Sequence, residues 1–175
     1  MSKHVLTGGP GIGKTTLIEL LAARGFTIVP EAARLIIEEE KVKDSDILPW
    51  KNLTKFQEKV AKLQLELEER AKGKIVFLDR SLIDGYGYCI LENVPAPTII
   101  EKVARNRYDK VFLLDPLLSY KNDHSRLEDK NKAEAIHETI AKAYLDFGYS
   151  PIKVPVLSPQ ERVEFILKNL NWTRA

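Results

Sequence analysis

The chain has 175 residues, 44% hydrophobic and 30% charged, with a net charge of +2 at neutral pH. That length buries most of its apolar surface in one core, so a single domain over residues 1–175 is expected; the weak net charge does not by itself point to nucleic acid, and it leaves a local basic patch open. One cysteine, Cys89, excludes an internal disulfide and a Cys-based zinc site and is expected to sit inertly in the core.

Lys3-His4-Val5-Leu6-Thr7 reads as a short strand. It runs into Gly8-Gly9-Pro10-Gly11-Ile12-Gly13-Lys14-Thr15, which fits G-x-x-x-x-G-K-[ST], the phosphate-binding P-loop pattern. A helix over Thr15–Arg24, closed by Gly25, completes the strand–loop–helix context. Glycines let the loop turn its N–H groups inward as an anion nest, and the helix adds the positive end of its dipole. Residues 8–16, ending in Thr15 and Thr16, are therefore the expected nucleotide cradle. Lys14 can reach the β- and γ-phosphates, and the Thr15 hydroxyl can hold Mg²⁺.

Phe26–Val29 reads as a second strand, and Pro30 as the first residue of a helix through Glu38. Residues 42–51 are a loop carrying Asp44, Asp46 and Trp50. Trp50 is read equally as an acceptor-side contact or a plug for the core edge. A long helix over 53–72 presents Phe56, Val60, Leu63 and Leu67 at helical spacing. Lys74–Asp79 is a buried strand ending in an acid, a helix covers 95–106, and Val111–Asp115 is a second buried strand ending in an acid. Leu117–Lys132 is polar, a helix follows to Phe147, Lys153–Val156 is the last strand, and 158–169 the last helix. Alternating strands and helices predict an open parallel α/β sheet covered on both faces. Ligands of such sheets lie beyond the carboxyl ends of the strands.

Two strands thus end in an acid that could serve Mg²⁺ and the reacting phosphate. Asp79 is favoured over Asp115, because Arg80 and Ser81 follow it at once and Asp84 lies close by. Tyr86, Tyr88 and Tyr144 are open to the same two readings as Trp50, with core packing preferred. His4, His124 and His137 show no zinc-ligand spacing. The segment Lys121–Lys130 reads as part of a lid over about 117–132. Its Arg126 is the candidate to close over the triphosphate, supported by Lys121 or Lys130. Asn131-Lys132-Ala133-Glu134 fails as a guanine-reading motif, since it ends in Glu and no buried strand precedes it.

These segments together resemble the P-loop nucleoside and nucleotide kinase superfamily. More closely, they resemble the AAA-domain P-loop family that includes the ribosylnicotinamide kinase domain. The residues that carry the likeness are Gly8–Thr15, Pro30-Glu31-Ala32-Ala33-Arg34, Phe77-Leu78-Asp79-Arg80-Ser81 and Asp123–Arg126. The resemblance implies a three-layer fold with a five-stranded parallel sheet in the order 2-3-1-4-5. It also implies that Glu31 and Arg34, with Asp84, line an acceptor pocket, and that Asp79 and Arg80 lie at the reacting phosphate. Asp79 would be the metal-linked acid or the base for an acceptor hydroxyl.

Two functions follow as expectations. One is a kinase that moves the γ-phosphoryl group of ATP, or GTP, with Mg²⁺, to a small nucleoside- or nucleotide-like acceptor. The other is a regulatory P-loop NTPase working with a protein partner. The paired Glu31/Arg34 and Asp79/Arg80 favour the first, since hydrolysis needs no acceptor pocket. Neither a secretory leader nor a membrane-length apolar run is present, so a cytoplasmic location is expected. Sequence leaves the oligomeric state open.

Overall fold

The computed structural model describes the backbone of residues 1–116 and 124–172, and side chains for 1–116 and 130–172. Five strands, β1 (Ser2–Thr7), β2 (Thr27–Val29), β3 (Ile75–Asp79), β4 (Lys110–Leu114) and β5 (Ile152–Val154), pair in parallel in the order β2-β3-β1-β4-β5. Seven helices accompany them among the described residues: α1 (Lys14–Ala23), α2 (Ala32–Val42), α3 (Leu53–Arg70), α4 (Leu82–Leu91), α5 (Thr98–Val103), α6 (His124–Asp146) and α7 (Pro159–Asn169). The expected sheet order is the observed one.

Alternation along the strands sends neighbouring side chains to opposite faces. Val5, Val76, Leu78 and Val111 join Ile83, Ile100, Ile140 and Tyr144 in one core cluster, under α3–α6. Leu6, Phe77, Phe112 and Leu114 join Leu17, Leu21, Val163 and Ile166 in the other, under α1 and α7. The result is the three-layer arrangement, with every strand's carboxyl end on one edge. Among the described residues, no helix is long and apolar enough to cross a membrane.

Four local expectations are corrected. Pro30 does not begin a helix: Glu31 stays extended (φ −63°, ψ 106°) as the N-cap residue, and α2 starts at Ala32. Residues 82–91, given no helix from sequence, form α4. Its Gly85 and Gly87 hide the signal, but Ser81 and Asp84 close a capping box that starts it. The helix expected over 95–106 shrinks to Thr98–Val103, because Pro95 and Pro97 hold the preceding residues extended. Finally, α6 begins at His124, so residues 124–132 are helix rather than loop. The core-facing residues of α6, Ile136, Ile140 and Tyr144, start only later, so apolar spacing did not announce its first turns.

Candidate active site

The chain leaves β1 through Gly8 (φ 128°), Gly11 (φ 70°) and Gly13 (φ 89°). At Gly8 the need is also steric: a Cβ would meet Ile12 Cδ1 at 2.5 Å and the Leu114 carbonyl at 3.2 Å. Gly13 is the N-cap residue of α1, and no side chain caps that helix. The first-turn N–H groups are thus left for an anion. Thr15 and Thr16 are exposed at this end of α1.

Lys14 is 7% exposed, and its Nζ donates to the carbonyls of Gly9 (2.6 Å) and Gly8 (3.3 Å). Burial, with the Arg80 guanidinium nearby, pushes the ammonium down to about 8. The loop is braced from behind by residues far along the chain. His137 Nδ1 on α6 accepts the Gly9 N–H at 3.2 Å, and Arg162 Nη1 on α7 donates to the Ile12 carbonyl at 2.9 Å. Sequence reading gave neither residue a role, because nothing local marks a side chain whose partner is a distant backbone atom.

Asp79 closes β3 beside the loop, since β1 and β3 are paired with Leu6 opposite Asp79. It is 6% exposed, and its Oδ1 has no hydrogen-bond partner among the described residues. Burial, and then the Glu31 carboxylate, push Asp79 up to about 6. A buried carboxylate oxygen without a donor is costly, and it suits a cation or a hydroxyl that arrives with the ligand. A carboxylate and the Thr15 hydroxyl are oxygen donors of the kind that a hard cation such as Mg²⁺ takes.

Arg80 adopts φ 68°, a left-handed conformation that costs a non-glycine residue on the order of 1 kcal/mol. The strain is held by several bonds. Its N–H donates to the Leu6 carbonyl at 3.0 Å and its Nε to Glu31 Oε1 at 3.1 Å. Its Nη1 donates to the Gly8 carbonyl (3.1 Å) and to Asp84 Oδ1 (3.0 Å). The guanidinium also lies over the Tyr88 ring, 5.7 Å from its centroid.

Asp84, 2% exposed, accepts four donors: Thr7 Oγ1 (2.6 Å) and Arg80 Nη1 (3.0 Å) on Oδ1, and Ser81 N (2.9 Å) and Tyr144 OH (2.6 Å) on Oδ2. Asp84 lines the acceptor-side cavity, as expected, but its four donors leave no capacity for another strong one, so there it holds Arg80 rather than a ligand.

Beyond Arg80 a cavity of about 210 Å³ opens between α2, α3 and α4. Its wall is mostly apolar, with Ile37, Leu53, Phe56, Val60 and Tyr88, and Glu31 and Arg80 lie in the same lining. The helix α3 was expected to bury Phe56, Val60, Leu63 and Leu67. Its buried residues are instead Phe56, Gln57, Ala61, Gln64 and Glu68. Gln57 and Gln64 face the cavity. Gln64 donates to Glu68, which also takes Lys3, Arg107 and Tyr108 and ties α3 to the opposite edge of the sheet. Two glutamines among core positions were the available signal in the sequence.

The other expected site residues fall as follows. Arg34 is exposed and is not in the cavity lining, because Glu31 precedes the helix and turns to Arg80. Pro49 lines the cavity, while Trp50 is 62% exposed with Lys41 Nζ 5.6 Å from its ring centroid. Tyr86 packs on Phe147, ring centroids 5.0 Å apart, and Tyr144 is wholly buried. Asp115 follows β4 and offers its carbonyl to Arg162. Cys89 is buried, which pushes its thiol up to about 11. Lys121 and the Arg126 and His124 side chains lie outside the described residues, as do residues 117–123 of the expected lid.

A family model described as an AAA domain matches residues 3–162. No curated protein matches the chain. Among solved structures, NadR protein in complex with NR aligns with a TM-score of 0.71 and 18% identity, covering 99% of this chain and 52% of NadR. The chain therefore spans about half the length of that protein. Deoxyadenosine kinase from M. mycoides aligns with a TM-score of 0.61 and 20% identity, over 97% of this chain and 98% of the kinase. Shikimate kinase from Bacteroides thetaiotaomicron gives 0.58 and 16% identity, over 98% and 99%. The shared feature at these identities is the fold.

Proposed function

Because the chain belongs to the AAA-domain family, matched over residues 3–162, we propose that it is a cytoplasmic kinase for a small nucleoside-like acceptor. It would move the γ-phosphoryl group of ATP, or GTP, to an acceptor hydroxyl. The observation that carries this reading is the apolar cavity beside the P-loop with Glu31 and Arg80 in its wall. An enzyme that uses water needs no such chamber. The likeness in fold to NadR with bound NR and to a deoxyadenosine kinase supports a nucleoside-like occupant.

Each residue has a role that follows from its surroundings. The loop N–H groups and α1 hold the triphosphate, and Lys14 leaves its two carbonyls for the phosphate oxygens. Phe56 and Tyr88 give the cavity aromatic surface for a flat ligand, and the Gln57 amide offers it a donor and an acceptor. Glu31 accepts the acceptor hydroxyl, and Arg80, held by Asp84, places Glu31 and adds positive charge as the phosphoryl group moves. The acceptor oxygen forms its bond to the γ-phosphorus, the bond to the departing diphosphate breaks, and Glu31 or Asp79 takes the hydroxyl proton. Thr15 and Asp79 would hold Mg²⁺, which neutralises phosphate charge when bound. Arg126 is assigned to closing over the same phosphates.

The test is ADP release from Mg-ATP, first alone and then with pooled nucleosides, nucleotides, sugars and short oligonucleotides. Stimulation by nucleosides or nucleotides is the expected result. Turnover that needs no acceptor and ignores every pool would overturn it in favour of an NTPase working with a protein partner.

A further inference from the structure

Arg162 sits one turn into α7, which Ser158 starts by accepting the Glu161 N–H. The residue is 2% exposed. Its guanidinium donates to three backbone carbonyls from three separate segments: Pro155 after β5 (2.9 Å, from Nε), Ile12 in the P-loop (2.9 Å, from Nη1) and Asp115 after β4 (3.0 Å, from Nη2). Among the described residues it forms no ion pair. A buried cation satisfied only by neutral carbonyls retains its full charge, and such burial is costly unless a negative charge is supplied. Burial lowers the pKa of Arg162, and the Asp115 carboxylate opposes this through space without a hydrogen bond, so the charge is only partly compensated.

The position explains what the charge is for. The peptide joining Ile12 to Gly13 is trans, as are all those among the described residues. In a trans peptide the carbonyl and the next N–H point in opposite directions. By holding the Ile12 carbonyl, Arg162 turns the Gly13 N–H away from itself, toward the side where the loop must meet phosphate. The Gly13 Cα is close enough that a Cβ there would lie 4.0 Å from Arg162 Nη1. The same guanidinium fixes the chain just after β4 and β5, so one side chain sets the spacing between the phosphate loop and the two segments that flank it at the sheet edge.

We infer that Arg162 is a positioning residue for the nucleotide: it orients the Ile12–Gly13 peptide and lends its charge to the polyphosphate from behind the loop. This rests on the reading of residues 8–16 as a nucleotide site. It assigns a role to a residue outside the P-loop pattern, 150 positions from the carbonyl it holds.

The experiment is calorimetric titration of Mg-ADP and Mg-GDP into the unaltered protein and into Arg162→Lys, Arg162→Met and Arg162→Ala, with melting temperatures measured alongside. Arg162→Met should weaken binding of the preferred diphosphate by about tenfold or more, as expected for losing a charge-assisted bond. Arg162→Lys, which keeps the charge but not the three-way fork, should fall between. Millimolar guanidinium should restore part of the affinity of Arg162→Ala. Unchanged affinity in all three variants would overturn the inference while leaving the nucleotide site intact. Loss that tracks only a fallen melting temperature, with no recovery in guanidinium, would reduce Arg162 to a structural tie and also overturn it. Failure of the unaltered protein to bind either diphosphate would overturn the nucleotide reading and this inference together.

Discussion

Arg80 Nε donates to Glu31 Oε1 at 3.1 Å, joining the tip of β3 to the residue just ahead of α2. The bond crosses from the phosphate side of the site to the acceptor side. Glu31→Gln keeps the shape but removes the negative charge that both Arg80 and an acceptor hydroxyl require. Turnover should fall by about 10²–10³-fold, with nucleotide affinity changed little. Steady-state kinetics and Mg-ADP titration read the two effects separately, and a proportional loss of nucleotide affinity would shift Glu31 to the phosphate side.

Asp79 is a carboxylate that the fold keeps at a cost. Its pKa is raised from 3.8 to about 6, so between those values the folded chain binds more protons than the unfolded one. Stability of the ligand-free protein should therefore fall as pH rises through that window and level off above it. Asp79→Asn removes the cost, at most roughly 3 kcal/mol, and should raise the melting temperature by about 6–12 °C at most at pH 8 but hardly at pH 4. The same variant should lose Mg²⁺-dependent turnover. Thermal scans at the two pH values, with ADP release, check both halves.

Lys14 is buried against its own loop, where it bonds the Gly8 and Gly9 carbonyls, and in the proposed function its charge meets an incoming phosphate. Lys14→Met should abolish turnover, by about 10³-fold or more, while the circular dichroism spectrum stays unchanged. The lowered pKa, about 8 against 10.5, means that the folded chain binds fewer protons between those values. Stability contributed by this group should therefore rise with pH from about 8 upward, a slope that Lys14→Met removes.

A Cβ at Gly85 would meet Gln57 Oε1 at 2.6 Å. The amide is the flexible end of its side chain, so Gly85→Ala should displace it rather than break α4. The expected result is a KM for the acceptor raised by about tenfold with nucleotide affinity unchanged. Equal effects on both substrates would separate Gln57 from acceptor recognition.

His137 can accept the Gly9 N–H only while Nδ1 is unprotonated. Burial is the main cause that lowers its pKa below the ordinary 6.5, which favours that neutral state; Asp115 and Glu138 oppose it, and Lys14 and Lys153 add to it. The brace is thus present above the ordinary value and is lost as pH falls through the lowered one. Nucleotide affinity should decline in mild acid, and His137→Asn, whose amide oxygen can also accept, should flatten that decline. Titrations of Mg-ADP between pH 5 and 8 measure it.

Much of the architecture was legible because it rests on short-range patterns. Apolar runs marked β3 and β4, glycines marked the loop, and alternation of strand and helix implied the parallel sheet. The misses have particular causes. In α4, a Cβ at Gly87 would lie 3.2 Å from Ile140 Cγ1, so that residue is chosen for close approach to α6 rather than for helix propensity. In α3, Gln57 and Gln64 occupy the buried face that a count of apolar residues gives to Leu63 and Leu67, because that face borders a cavity. Arg34 reads as a partner for Glu31 only if both are helical, and Glu31 is not.

The sequence alone determined the phosphate loop, since its glycine spacing and its Lys14-Thr15 are local requirements of backbone geometry and charge. It also determined the class of sheet and placed Glu31, Asp79 and Arg80 at strand ends. Only the tertiary structure decided which groups meet: Arg80 with Glu31 and Asp84, His137 with Gly9, and Arg162 with Ile12, Asp115 and Pro155. Those partners are tens of residues or more apart in most cases, and several are backbone atoms that every residue possesses. Side-chain identity cannot encode such a pairing locally; it exists once the packed layers bring the segments together.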